Sequence, residues 1–385
     1  MTVTTTARPS VRVSGDMHAL VFRGAGRPFE QVAVPDVVLH QGEVLVSVEL
    51  ATICGSDLHT IDGARPAEVP LVLGHEQVGR VVALGPGRPP RAVDGRQLTV
   101  GTRVVWGVVV DCGRCRHCRK GFPQKCESLR KYGHERMIRG WELGGGFASH
   151  MHLLARTPIV AIAEDLPAAV AAPASCATAT VVAAFEAAES IRQLAGSTVV
   201  ISGCGMLGLT AIAVAIARGA TVIASDPDPE RRVAAIAFGA AAVVDGTPDG
   251  WASAFRAVRG ASHGYDIALE LSGAPKAVHQ LLGISDIGAV MVLVGSVYPA
   301  GTVALDPELA VRRLLTIRGV HNYAPAHLVE AVRFLEGVDR QAFAGLVGSV
   351  HPLDDLALAL EAARTRMSPR TAVAPEPSQV VVTAS

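Results

Sequence analysis

Between about His18 and Pro158, apolar and polar positions alternate in short β-rich runs, among them residues 43–50, 79–84 and 103–110, with Gly and Pro in the gaps. A period of two broken by turn residues predicts an irregular antiparallel β domain. At about Asp165 the period changes: Ala and Val recur at helical spacing as far as Ala188, and beyond Ser197 apolar strands alternate with helices. The strands are expected at 198–202, 221–225, 241–244, 266–271 and 289–294, the helices at 206–218, 229–238 and 275–282. That rhythm predicts an α/β domain with a parallel sheet covered on both faces. After Arg318, helices near 326–335 and 353–365 and a strand at 370–374 are expected to return to the first domain, because about sixty residues are too few for a core of their own. Residues 1–16 and 376–385 read as loose tails.

The 385 residues suggest roughly two domains, and an apolar share of 49% is ample for burial. Lys plus Arg equals Asp plus Glu at 35 each, so no global field recruits nucleic acid or an anionic membrane. Apolar runs such as 211–217 fall well short of the ~20 residues of a membrane helix. Residues 1–16 lack the basic start and continuous apolar core of a leader. A cytoplasmic protein with reduced or metal-bound cysteines is expected, and its partner is a small-molecule substrate.

Cys112, Cys115, Cys118 and Cys126 are spaced C-x2-C-x2-C-x7-C. Four sulfurs so close together can close a tetrahedron around Zn²⁺ and leave no position for substrate, so this site should stiffen a loop. Free or disulfide-bonded cysteines are the alternative, and a redox C-x-x-C pair would not require the third and fourth sulfurs.

Strand 198–202 runs into Gly203-Cys204-Gly205-Met206-Leu207-Gly208, a G-x-G-x-x-G that opens a helix, and Asp226 follows eighteen residues after Gly208 at the end of the next strand. In that setting Gly203 permits a tight turn, Gly205 lets the backbone approach a pyrophosphate, and Gly208 lets helix and strand pack closely. The free N–H groups of the helix start at Met206 and Leu207 suit the anion. Asp226 would accept from both adenosine ribose hydroxyls and repel a 2′-phosphate, which favours NAD; Arg231 and Arg232 temper that preference. A turn glycine cluster with a helix-capping Asp is the plainer reading.

Cys54-Gly55-Ser56-Asp57-Leu58-His59 and Gly74-His75-Glu76 are unremarkable singly. Together with the four-cysteine lobe and the nucleotide motif, the chain resembles the zinc-containing alcohol dehydrogenases of the medium-chain dehydrogenase/reductase superfamily over nearly its whole length. The resemblance implies a GroES-like catalytic domain at 17–177 with a return at 321–375, a Rossmann domain at 178–320, two Zn²⁺ per chain, NAD, and a homodimer or homotetramer. It implies that Cys54 and His75 bind a catalytic zinc. The family supplies a third ligand just before the nucleotide domain, where Cys176 stands in Ala172-Pro173-Ala174-Ser175-Cys176-Ala177; a packing role for Cys176 is the alternative. Glu76 is expected beside the metal or exchanging onto it. Ser56 and His59 are expected to relay the substrate proton, and Asp57 to orient His75 through its second nitrogen.

Residues 124–135 and 319–323 further resemble a branch linked with phosphonate metabolism and close to cyclitol dehydrogenases of aminocyclitol biosynthesis. Arg130, Lys131 and His134 are expected either to meet a phosphoryl group or polyol hydroxyls, or to be solvated loop charges. With only 4% aromatic residues, a pocket for large flat rings is not suggested. A small polar secondary alcohol, a polyol or cyclitol with or without phosphate, is the expected substrate; a phosphonate-bearing alcohol or aldehyde is the alternative, and a silent scaffold of the same fold is the non-enzyme reading.

Overall fold

A computed structural model describes residues 9–260 and 264–384 and divides the chain into two compact units, Met1–Cys176 with Ala324–Ser385, and Ala177–Tyr323. The boundaries fall at 176/177 and 323/324, one and three residues from the positions expected.

In the first unit, a seven-stranded sheet runs in the order Ile159–Ala161, Arg103–Trp106, Glu76–Leu84, Val44–Thr52, Arg370–Ala374, Val347–Pro352, with His150–Leu153 also paired to Val44–Thr52. The strand Arg370–Ala374 joins it antiparallel to Val44–Thr52, with Ala372 opposite Thr52. The return segment therefore completes a sheet that began more than three hundred residues earlier. Its core gathers Trp106, Phe147, Leu45, Leu73 and Val373, all fully buried.

The tails require correction. Val11–Gly15 and Val380–Ala384 are strands, paired antiparallel with Val13 opposite Val382, and Val11–Gly15 pairs on its other side with Asp36–Leu39. Val13 is buried. Each run is too short to advertise itself, and its hydrogen-bond partner lies at the other end of the chain. Of the expected tails, residues 1–8 and Ser385 lie outside the described residues.

The second unit carries a six-stranded, wholly parallel sheet in the order Ala242–Val244, Thr221–Ser225, Thr198–Ser202, Tyr265–Glu270, Ser285–Leu293, Thr316–Gly319. The order reverses between Thr198–Ser202 and Tyr265–Glu270, which is the crevice where doubly wound sheets take ligands. Proline fills the first turn of four covering helices, Pro229–Ala237, Pro248–Arg259, Pro275–Gly283 and Pro307–Arg312. Pro248–Arg259 was not foreseen, although its Thr247 cap and the apolar stripe of Trp251, Ala254 and Phe255 mark it. The sixth strand, the helix Arg340–Ala344 and the strand Val347–Pro352 were also missed.

Candidate active site and metal centres

Cys54 stands at the N-cap of the helix Gly55–Ile61, directly after the long central strand. Its N–H donates to Asp57 Oδ2 at 2.9 Å. The other oxygen of this fully buried carboxylate accepts from the Gly74 N–H at 3.3 Å and lies 3.2 Å from His75 Nδ1. One carboxylate thus ties both ligand-bearing segments, and it leaves His75 Nε2 pointing at Ser56 Oγ, 3.3 Å away. Cys176 follows the 3₁₀ turn Ala172–Ser175, whose Ser175 Oγ donates to the His75 carbonyl at 3.2 Å. The ligand atoms of Cys54, His75, Glu76 and Cys176 all lie within 4.8 Å of one another.

Glu76 differs from the other three. Its oxygens accept from Arg370 Nε at 2.6 Å, Arg370 Nη2 at 2.7 Å and Thr52 Oγ1 at 2.6 Å. Burial pushes its carboxyl up, opposed by the Arg370 guanidinium. With that carboxylate committed, two sulfurs and one imidazole remain, a donor set that fits zinc and keeps a position open. Arg370 Nη2 also reaches Cys54 Sγ at 3.5 Å. The hydrogen bond from Cys176 and the charge of Arg370 hold Cys54 well below the ordinary thiol value, and the shared bond and burial drive Cys176 well above it. Burial by itself would lower His75, but the Asp57 carboxylate and the Cys54 sulfur carry it to about 10. A metal entering this pocket must therefore displace protons.

Sequence reasoning missed Arg370 and Thr52. Nothing local marks an arginine in a short strand as the partner of Glu76; only the sheet brings them together.

Ser56 and His59 are one turn apart on the helix Gly55–Ile61 and both half-buried. Of the three basic residues after the lobe, Arg130 is engaged: Nε lies 2.8 Å from Glu135 Oε2 and the guanidinium 4.6 Å over the Trp141 ring. The His134 ring lies 4.6 Å from that of His75. Lys131 is half-buried, and burial together with the Arg65 charge lowers its ammonium to about 8.

The second cluster is local. Cys115 caps the short helix Arg116–Arg119, and Pro123–Lys125 forms a 3₁₀ turn before Cys126. Cys115 Sγ lies 3.5 Å from Cys118 Sγ and 3.9 Å from Cys126 Sγ, too long for disulfides, and the N–H groups of Cys112 and Ser128 each donate to Cys126 Sγ at 3.3 Å. Zinc–sulfur bonds near 2.3 Å in a tetrahedron place sulfurs about 3.8 Å apart, so the four thiols fit that ion. Backbone N–H groups of Cys118 and Glu127 lower Cys115 to about 6.

In the second unit, Gly203 has φ 97°, and a Cβ on Gly208 would lie 1.9 Å from the Gly203 carbonyl oxygen, so only glycine permits that packing. A Cβ on Gly205, the helix N-cap, would meet nothing within 4 Å, which leaves the space a pyrophosphate needs. Met206 is buried and Leu207 half-buried at the helix start. Asp226 has a second duty: Oδ2 accepts from the Cys204 N–H at 2.8 Å and Oδ1 from Asp228 N–H at 3.0 Å, so the acid fastens the loop. Arg231 Nη1 stands 3.8 Å from Asp226 Oδ2, while Arg232 donates to the carbonyls of Asp226 and Pro227.

Residues 40–164 match the model described as the alcohol dehydrogenase GroES-like domain, and residues 207–337 the model described as zinc-binding dehydrogenase. An L-threonine 3-dehydrogenase of Pyrococcus horikoshii is 34% identical over 77% of this chain and 80% of its own. The chain belongs to the zinc-type medium-chain alcohol dehydrogenase family. Among solved structures, an alcohol dehydrogenase of Thermotoga maritima superposes with a TM-score of 0.88 at 29% identity, covering 94% of this chain and 100% of its own. Galactitol-1-phosphate dehydrogenase of Escherichia coli gives 0.77 at 27% identity over 93% and 100%. This family member is thus an oxidoreductase with the two-domain fold expected. Among the described residues no single helix is long and apolar enough to cross a membrane.

Proposed function

We propose that the protein is an NAD-dependent zinc dehydrogenase that interconverts a small polar secondary alcohol, of the polyol or cyclitol kind, with its ketone. The observation that carries the reading is the set of buried Cys54 and His75 with half-buried Cys176, Glu76 held by Arg370 and Ser56 Oγ set against the His75 ring. When bound, zinc supplies Lewis acidity at the reacting oxygen and NAD accepts the hydride. The chain's own residues do the rest. Ser56 receives the proton of the substrate hydroxyl, His59 passes it toward solvent, and Asp57 keeps the His75 tautomer that leaves Nε2 free for the metal. The scarcity of aromatic residues and the likeness to a sugar-alcohol phosphate enzyme support a small polar substrate.

Two zinc ions per chain belong to the same proposal, with Cys112, Cys115, Cys118 and Cys126 holding the structural one. Asp226 supports NAD as the dinucleotide. A second copy of the chain is proposed to cover the exposed apolar residues Ile287, Val311, Leu314 and Ile317 around the edge strand Thr316–Gly319, giving a homo-oligomer. Free thiols as ligands suit the cytoplasm.

Oxidation of a panel of polyols, cyclitols and their phosphates tests the reading, with Ser56→Ala and His59→Gln as the diagnostic variants. Ser56→Ala should lose about 10²- to 10⁴-fold in turnover with its metals retained. His59→Gln should lose less and recover with rising pH, because hydroxide or buffer base replaces an outer relay member. An active Ser56→Ala would sink the relay, and no turnover on any alcohol would sink the dehydrogenase.

A further inference from the structure

Beside the metal ligands runs the turn 132–134, pinned from both sides. Tyr132 is fully buried, its hydroxyl 2.6 Å from Thr157 Oγ1 and accepting the Leu154 N–H at 2.8 Å, and its own N–H donates to the Val108 carbonyl at 2.9 Å. Gly133 follows with φ 71°; its N–H donates to the Gly144 carbonyl at 2.8 Å, and a Cβ there would overlap the Gly74 carbonyl oxygen and stand 3.2 Å from His75 Cβ. Only glycine lets the turn lie so close against the ligand-bearing segment. His134, half-buried, then sets its ring 4.6 Å from the His75 ring, centroid to centroid, with 38° between the planes.

That contact meets a need the hydrogen-bonding neighbours of His75 leave open. Asp57 Oδ1 lies 3.2 Å from Nδ1 and Ser56 Oγ 3.3 Å from Nε2, so both act at the edge of the ring. A hydrogen bond to a ring nitrogen fixes where the ring points within its plane but tolerates tilt about the Cβ–Cγ bond, a torsion that is broad and roughly two-fold in histidine. A second ring lying against the face stops the tilt. The separation is inside the range of about 4.5–7 Å that ring pairs favour. Tilt matters to a metal, because the Nε2 lone pair lies in the ring plane and must be aimed at the ion.

We propose that His134 is a positioning residue for the metal centre: its ring holds the face of the His75 imidazole while Asp57 holds the edge, so that Nε2 is aimed before the ion binds. The inference rests on the zinc reading of this pocket and adds to it a residue from outside the ligand set. That duty differs from the phosphoryl or polyol contact expected of His134 from the sequence. It belongs to the ring and not to a charge, so a phenyl ring at this position should serve and an aliphatic side chain should not.

Cobalt(II) exchanged into the pocket of the full chain, with zinc left in the lobe, reports the ligand geometry through its thiolate charge-transfer and d–d absorption. Competition against a chelator such as dipicolinate reports the affinity. His134→Ala should move the absorption bands and weaken the pocket ion about 2- to 10-fold, the worth of one ring pair, with the lobe ion and the melting temperature kept. His134→Phe should return both readouts toward the parent. Where His134→Ala does not fold, His134→Leu is read in its place. Unchanged bands and affinity in the variant without a ring overturn the inference, and so does a His134→Phe chain that behaves like the Ala variant, since a ring nitrogen would then be acting. A parent chain that takes up no pocket ion fails the zinc reading and the inference with it. A chain whose pocket ion depends on the ring yet oxidises no alcohol fails the dehydrogenase reading alone.

Discussion

The two cysteine clusters, both proposed to hold a cation with sulfur, are built in opposite ways. The lobe draws four thiols from fifteen consecutive residues, three of them half-buried and one buried, and lowers their charge cost with backbone N–H groups such as those of Cys112 and Ser128. The pocket draws Cys54, His75 and Cys176 from three distant segments, with Cys54 and His75 buried and Cys176 half-buried, and meets the charge with one arginine from a fourth. Backbone donors are available wherever a chain turns, so a local site is self-sufficient. A buried carboxylate such as Glu76 needs side-chain counter-charge, because burial removes the water that would otherwise stabilise it. In the pocket the Arg370 fork holds both oxygens of Glu76, the carboxylate beside the proposed metal ligands.

The largest test of this contrast is Cys115→Ser. Structural zinc is coupled to folding by about 10 kcal/mol or more in small zinc modules. The variant should therefore lose one of two zinc ions by metal analysis and melt lower, with the ion of the pocket retained. Full stability with both ions kept would mean that the lobe is not a metal site. Next is Arg370→Met, which leaves Glu76 buried without its partner. A loss of about 3–5 kcal/mol is expected in denaturant unfolding. Adding Glu76→Gln should recover part of it, since the uncompensated charge goes. If Arg370→Met is within about 1 kcal/mol of the parent, the pocket does not depend on that counter-charge.

The smallest effect concerns the other unit. Asp226→Ala should shift the NADP to NAD preference toward NADP by at least about tenfold, ~1.4 kcal/mol, as read from the two dissociation constants. Because Asp226 also fastens the Cys204 N–H, affinity for both dinucleotides should fall somewhat. A parent chain that already prefers NADP would reverse the reading of Asp226 and shift the weight to Arg231.

Much of the molecule was readable along the chain. Strands 198–202 and 221–225 fall where the β-branched runs put them, since a strand buried on both faces needs a largely apolar run, and the short strand 370–374 also falls where it was expected. The four-cysteine spacing and the glycine pattern were equally plain, because each is a contiguous stretch whose geometry follows from its own backbone. The terminal strands were read as tails because what makes Val11–Gly15 and Val380–Ala384 strands is each other, across the full length of the chain.

By itself, then, the sequence determined whatever depends on neighbours within about twenty residues: the helix and strand periods, the cysteine spacing of the lobe, and the turn at Gly203. Tertiary structure alone decided which groups share the pocket. It set Arg370 against Glu76, gave Asp226 a second hydrogen-bonding duty, and engaged Arg130. The reason is physical. Backbone periodicity is a short-range property of the chain, whereas charge balance in a buried site is fixed by whichever residues the sheet happens to bring within a few ångströms.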